Sequence, residues 1–211
     1  MRKFLALTVA LAAAALSWLV LAPASHASTP GNCSGSYSGT AFTTIIVAPN
    51  SFCEISNSSV LGAVIVNKNA SFYTCNSTIG GSLTATQAYV NIDNGTSIKG
   101  AITLTKPGSS GLVGQGTCSE KGISEYSSIL CPWYVGGSIT VQGGVKYSNE
   151  VSIGECGAMQ IRGSVSIVHN RLLVEIWYTD IAGSLLCIDN NPPAFGVFNT
   201  VAGARIGCSS V

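Results

Sequence analysis

Hydrophobic positions recur along the chain around a small two-residue node, a glycine followed by serine or alanine. The node glycines are 19, 19, 37, 26, 20 and 20 residues apart, at Gly62, Gly81, Gly100, Gly137, Gly163, Gly183 and Gly203. Val, Ile and Leu predominate two residues before each glycine and two and four residues after it, for example Ile98, Ile102 and Leu104 in the third repeat. Alternation of β-branched and small or polar residues predicts a strand on either side of the node.

The length of the repeat decides how these strands associate. Hairpins would place turn signals about every 8–12 residues, and no window has the apolar period of a helix pair. A coil that returns to the same place every 19–20 residues stacks equivalent residues about 4.8 Å apart in parallel sheets. The sequence therefore predicts an all-β protein, a single right-handed parallel β-helix (β-solenoid) with coils of about 19–20 residues. One long loop insertion, about 106–134, is expected to contain Tyr126, Trp133 and Tyr134.

The N-terminus predicts a secretory signal peptide. Arg2 and Lys3 precede an uncharged, mainly apolar stretch over residues 4–21, and Ser25 and Ala27 supply small residues at a cleavage site. A membrane anchor is the alternative, because the apolar stretch approaches spanning length. Cleavage after Ala27 would leave residues 28–211 as one solenoid domain.

Charge excludes several classes of partner. The chain has ten Lys and Arg and nine Asp and Glu, and the signal peptide contains two of the basic residues, so the remaining chain has a net charge near −1. Such a chain has no electrostatic footprint for nucleic acid or for an anionic membrane after signal removal. No cofactor motif or metal motif is present, so neither a cofactor nor a metal ion is expected.

Eight cysteines, an even number in an exported chain, predict disulfides rather than a zinc site. Cys33 and Cys53 are one coil apart, as are Cys187 and Cys208, and adjacent coils lie within disulfide reach. We predict bonds Cys33–Cys53 and Cys187–Cys208, which would close the two ends of the solenoid. Pairing of the other four stays open: Cys118–Cys131 would close the insertion, and Cys131–Cys156 would join adjacent coils, with Cys75 as the fourth cysteine.

The chain resembles a known group of proteins. The Gly-Ser/Ala nodes, the Ala48-Pro49-Asn50 segment between Cys33 and Cys53, and the segment 183–208 with its Asn-Asn-Pro-Pro run are similar to small secreted bacterial β-helix proteins. Some of those proteins are compared with bactofilin-like, polymer-forming solenoids. The resemblance implies the fold and the terminal disulfides, and it implies no catalytic residues.

Two groups of residues are candidates for chemistry. Glu155 and Glu175 each lie eight residues before a node glycine, so a shared column would bring two carboxylates to about 5 Å. Such a pair suits a cation or acid–base work on a glycosidic bond, unless Arg162 or Arg171 neutralises it.

The second group combines His169 and Asp189, which share a column, with Arg171. A His–Asp pair can orient a general base, and Arg171 can hold an anionic sugar. The competing interpretation is a solvated turn with asparagines stacked between coils.

A third feature is a possible binding face. Thr84, Thr103 and Thr140 form one outward column and Thr86 and Thr105 the next, which suits ice or a repeating polymer. The columns are interrupted by aliphatic residues, and threonine is also an ordinary exposed strand residue.

The sequence favours a secreted, non-enzymatic structural or cell-surface-associated solenoid. Its expected partner is a cell-wall or other polysaccharide, bound through the aromatic insertion or a flat sheet face. The alternatives are a carbohydrate-active β-helix enzyme (polysaccharide lyase or glycosidase) and a polysaccharide- or ice-binding surface protein. The enzyme requires several of the charged candidates to converge in one groove, whereas the binding protein requires a broad threonine or aromatic face.

Overall fold

The computed structural model describes residues 31–93, 95–107, 127–145 and 150–208. These residues form three parallel sheets that wind together as a β-solenoid of about eight turns, as the repeat predicts. The expected signal peptide and most of the expected insertion lie outside the described residues. No helix in the described part of the chain is long and apolar enough to cross a membrane.

Each turn adds one strand to each sheet, in the order sheet I, sheet II, sheet III. Sheet I contains β1 (Gly31–Asn32), β4 (Ile45–Val47), β7 (Val64–Val66), β10 (Leu83–Thr86), β13 (Ile102–Thr105), β16 (Ile139–Gln142), β19 (Val165–Val168), β22 (Leu185–Ile188) and β25 (Arg205–Ile206). Sheet II contains β2 (Gly35–Ser38), β5 (Phe52–Ser56), β8 (Ser71–Cys75), β11 (Tyr89–Ile92), β14 (Ser127–Leu130), β17 (Glu150–Ile153), β20 (Leu173–Trp177) and β23 (Phe195–Val197). Sheet III contains β3 (Ala41–Phe42), β6 (Ser59–Val60), β9 (Thr78–Ile79), β12 (Ser97–Ile98), β15 (Tyr134–Val135), β18 (Met159–Ile161), β21 (Thr179–Ile181) and β24 (Thr200–Val201).

The core runs along the solenoid axis. The aliphatic columns around the node are buried as expected, and Ile98, Ile102 and Leu104 are almost fully enclosed. Sheet II adds two inward columns that the repeat alone does not assign: Cys53, Phe72, Val90, Val151 and Val174 in one, and Ile55, Thr74, Ile92, Leu130, Ile153 and Ile176 in the other. Stacking of like side chains from successive coils therefore fills the interior on all three sides.

The node glycines form the tight corner between sheets III and I. From Gly81 onward, each donates its N–H to the carbonyl oxygen of the node glycine in the preceding coil, as Gly100 does to Gly81 at 3.0 Å. A Cβ atom on Gly100 would lie 2.6 Å from the carbonyl carbon of Gly81, so close approach rather than an unusual φ selects glycine. The following serine extends the ladder, since the hydroxyl of Ser164 accepts the backbone N–H of Ser184 at 3.0 Å.

The other two corners use left-handed residues. Between sheets I and II this position is Asn50, Asn69, Gln87, Lys106, Gly143, His169 or Asp189, with φ between 45° and 70°. Between sheets II and III it is taken by Asn57, Asn76, Tyr178 and Phe198 among others. Asparagine tolerates this conformation well, and its side chains stack between coils, as Asn76 Nδ2 and Asn57 Oδ1 do at 2.6 Å.

Disulfides close both ends. Cys33–Cys53 and Cys187–Cys208 are present with Cα separations of 5.5 Å and 5.1 Å, which confirms both predicted bonds. Cys131–Cys156 joins adjacent coils of sheet II, so Cys131 is not the partner that closes the insertion. Cys75 is also disulfide-bonded, and Cys118 lies outside the described residues.

Candidate functional site

His169 and Asp189 occupy the same corner position in successive coils, as the repeat predicts. The His169 Nδ1 atom lies 3.6 Å from Asp189 Oδ2, and the side chains are 63% and 70% exposed. Arg171 donates to the backbone oxygen of Asp189 at 3.2 Å rather than to its carboxylate. Solvent screens such a pair strongly, so it gives little orientation to either group.

Beneath this pair lies a structural asparagine. Asn170 is fully buried; its Nδ2 atom donates to the Val141 carbonyl and to Asn190 Oδ1, both at 3.0 Å. Its Oδ1 atom accepts the backbone N–H of Gly144 at 2.9 Å. The corner therefore contains the expected stack of asparagines, and the charged side chains of His169 and Asp189 lie on its solvent-exposed side.

The expected column of Glu155 and Glu175 is wrong. The strand register places Glu175 opposite Ser152, whereas Glu155 lies past the end of β17 and is exposed. The cause is the corner between sheets II and III, which has five residues (154–158) in one coil and only Tyr178 in the next. Counting back from the node glycine therefore passes through corners of unequal length and loses the register.

Glu175 instead meets Glu150. Both project from the outer face of sheet II on adjacent strands, because Glu150 lies two residues before Ser152, the register partner of Glu175. Burial first, then the interaction with the Glu175 carboxyl group and the charges of Glu175 and Glu155, raise the pKa of Glu150 to about 7. Trp177 Nε1 donates to Glu175 Oε2 at 3.0 Å. Within the described part of the chain, neither Arg162 nor Arg171 forms an ion pair with these glutamates, and Arg171 donates to the backbone oxygen of Asp189.

These charged candidates do not converge on one groove. Arg171 and Glu175 are four residues apart along an extended segment, which separates them by about 13 Å. His169 and Asp189 lie at the corner between sheets I and II, whereas Glu150 is the first residue of β17 and Glu175 lies in the middle of β20. In the described part of the chain, no group of three or more His, Cys, Asp or Glu residues is placed to hold a metal ion.

The outer face of sheet I contains the expected threonine columns. Thr84, Thr103 and Thr140 are register partners on adjacent strands, and Thr86 pairs with Thr105. The first column continues into aliphatic or serine residues on both sides: Ile46 and Ile65 before it, and Ser166, Leu186 and Ile206 after it. No charged side chain projects from the outer face of these described strands, so the face is uncharged.

A groove on the outer face of sheet III was not predicted from the sequence. It has a volume of about 380 Å³ and is lined by Gln160, Ile161, Arg162, Asp180, Ile181, Ala182, Thr200 and Ala202. Gln160, Asp180 and Thr200 form one outward column, and Arg162, Ala182 and Ala202 form a second, beside the node. The small side chains of Ala182 and Ala202 leave the depression, and the longer side chains border it.

Aromatic residues flank this groove on two sides. Tyr134 precedes Gln160 in the same column, and Trp133, which is 52% exposed, accepts the N–H of Gln160 through its backbone oxygen at 3.0 Å. At the corner that leads into sheet III, Tyr178 and Phe198 stack with ring centroids 5.1 Å apart. Both are strongly exposed, and they precede Asp180 and Thr200 by two residues.

The charges of the groove are available to a ligand. Arg162 and Asp180 are both exposed and do not form an ion pair with each other. A guanidinium, a carboxylate, an amide and a hydroxyl therefore face one depression beside exposed rings. The sequence signal was the column three residues before the node glycine, in which serine and threonine give way to Tyr134, Gln160 and Asp180.

Comparison with known proteins adds no assignment: no protein-family model, curated protein or solved structure matches the chain.

Proposed function

We propose that this protein is an exported, non-enzymatic, cell-surface-associated solenoid that binds a polysaccharide in the groove of sheet III. The single observation that carries the proposal is the combination of exposed aromatic rings with unpaired polar groups around one depression. A sugar ring has a C–H face that packs on an aromatic ring and hydroxyl groups that hydrogen-bond to side chains such as Arg162 and Asp180.

The repeat of the solenoid suits a polymer. Equivalent side chains recur about every 4.8 Å along the axis, so an extended glycan that follows the axis meets the same columns in each coil. Gln160, Asp180 and Thr200 would each contact a successive part of such a chain. The intramolecular disulfides are compatible with an extracellular setting.

Binding to a panel of cell-wall and plant polysaccharides tests the proposal. Wild-type protein with its disulfides formed should be retained by at least one polymer, and Trp133→Ala or Arg162→Ala should weaken that binding by about tenfold or more. Thr140→Ala, on the uncharged face of sheet I, is the matched control and should bind like wild type. Absence of retention on every polymer, or equal loss in the control, would reject the groove as the binding site.

The uncharged outer face of sheet I supports a second candidate, binding to ice or to the surface of a crystalline polymer. Its supporting observation is the charge-free array of Thr84, Thr103 and Thr140 on adjacent strands. An ice-recrystallisation assay discriminates the two candidates. Inhibition that is lost in Thr103→Lys and kept in Trp133→Ala would favour this face over the groove.

A further inference from the structure

The carboxyl pair on sheet II lies in an unusual setting that the proposed function does not use. Glu150 and Glu175 project from the same face of the adjacent strands β17 and β20, because the register partner of Glu175 lies two residues after Glu150. No Lys, Arg or His side chain among the described residues forms an ion pair with either glutamate. Two ionised carboxylates held close together repel each other, and a cation between them relieves that repulsion.

Ser152 supplies an independent observation at the same place. Its side chain is 1% exposed, and its Oγ atom has no hydrogen-bond partner. Ser152 is the register partner of Glu175 and lies two residues after Glu150 in β17, so all three side chains project from the same face of sheet II. A buried hydroxyl without a partner is costly, and a ligand atom between it and the carboxylates would remove that cost.

We propose that Glu150, Ser152 and Glu175 form a calcium-binding site on the outer face of sheet II. The donors are all oxygen atoms, which Ca²⁺ and Mg²⁺ prefer. Calcium fits better because it accepts irregular arrangements of six to eight oxygens, including bidentate carboxylates and water, whereas magnesium requires near-octahedral geometry. Trp177 orients the Glu175 carboxylate by its hydrogen bond to Oε2 and leaves the other oxygen atom for the ion.

The site is expected to be weak and structural. Two carboxylates and one hydroxyl are fewer protein ligands than an EF-hand provides, so the dissociation constant should lie near the range of extracellular modules, on the order of 10⁻⁴–10⁻³ M. The ion would join β17 to β20 across two coils, and it would therefore stabilise this part of the solenoid when bound.

Titration calorimetry with calcium chloride, together with thermal melts at pH 8 with and without millimolar calcium, tests the proposal. Wild-type protein should bind calcium and melt at a higher temperature in its presence. Glu150→Gln and Glu175→Gln should each weaken binding by about tenfold or more and abolish the shift in melting temperature. Circular dichroism of each variant checks that the fold is kept, and Ser152→Ala, a smaller change, should weaken binding to a lesser degree.

Two controls locate the effect. Glu155→Gln removes a carboxylate whose charge reaches Glu150 but which is not a ligand in the proposed site, so it should weaken calcium binding clearly less than Glu150→Gln. Magnesium chloride at equal ionic strength should raise the melting temperature much less than calcium. Absence of calcium binding by wild-type protein would overturn the proposal. Undiminished binding in Glu150→Gln and Glu175→Gln, or equal loss in Glu155→Gln, would overturn it as well.

Discussion

The node glycines are selected by their neighbours one coil away. Gly163 has an ordinary φ, yet a Cβ atom there would lie 2.6 Å from the carbonyl carbon of Gly137 and from the backbone nitrogen of Ser138. The next residue projects outward, so Ala101 and Ser164 both fit at equivalent positions. This explains why the motif is glycine followed by a choice of small residues, and why it is visible in the sequence.

Glu150 predicts how stability depends on pH without calcium. Its pKa in the folded protein is raised from 4.5 to about 7, with Glu175 and Glu155 as the charged groups that face it. A raised folded pKa means that the folded state binds the proton more tightly than the unfolded state. Its contribution is therefore complete below pH 4.5 and lost as pH rises through about 7.

Denaturant melts in calcium-free buffer between pH 4.5 and pH 8 check this prediction. Wild-type stability should fall across the window relative to Glu150→Gln, which cannot titrate. Asp189→Asn, at an exposed corner, is the control and should keep the wild-type profile in this window. Parallel profiles for wild type and Glu150→Gln would show that folding does not raise the pKa of Glu150.

At the level of strands and corners, the sequence predicts sheets III and I well and sheet II poorly. The node lies between the first two, so residues counted from it, such as Ile98 and Ile102, occupy the expected columns. Sheet II is reached only across corners whose lengths differ from coil to coil. The corner between sheets II and III has five residues (154–158) in one coil and a single residue in the next. Because of this difference, Glu155 and Glu175 do not share a column.

The candidate sites follow the same rule. The threonine columns and the His169–Asp189 pair were predictable because they are counted over short distances from the node. The groove of sheet III is also predictable in principle from the sequence, since Gln160 and Arg162 lie three residues and one residue before Gly163. The repeat does not reveal this groove, because its lining residues change from coil to coil, whereas a repeat is recognised from columns that stay constant. Predicting the Glu150–Glu175 pair requires the strand register between β17 and β20, which the sequence repeat does not provide.

The end coils depend on their disulfides because each coil contacts only its neighbours. Replacing Cys187 and Cys208 with alanine should fray β23, β24 and β25 and leave the central strands intact, with a loss of about 2–4 kcal/mol in stability. Native-state hydrogen exchange measures this: amides of β25 should lose protection while those of β10 and β13 keep it. The matched variant without Cys33 and Cys53 should fray the opposite end, and uniform loss of protection along the chain would contradict the account.

At the scale of the whole molecule, the solenoid presents three long faces with different chemistry. The face of sheet I is uncharged, sheet II holds the carboxyl pair, and sheet III has the groove with its flanking aromatic residues. Since the same winding produces all three, each face can change without altering the core. We propose that polysaccharide binds to sheet III alone.

Hydroxyl-radical footprinting of the protein with and without a bound soluble oligosaccharide tests that assignment most directly. The oligosaccharide is a fragment of whichever polymer retains the protein, and oxidation of exposed side chains is read by mass spectrometry. The account predicts that Trp133 and Tyr134 become protected, while Ile65 and Ile206 on sheet I are oxidised as before. Protection of Ile65 and Ile206 with Trp133 unchanged would contradict it.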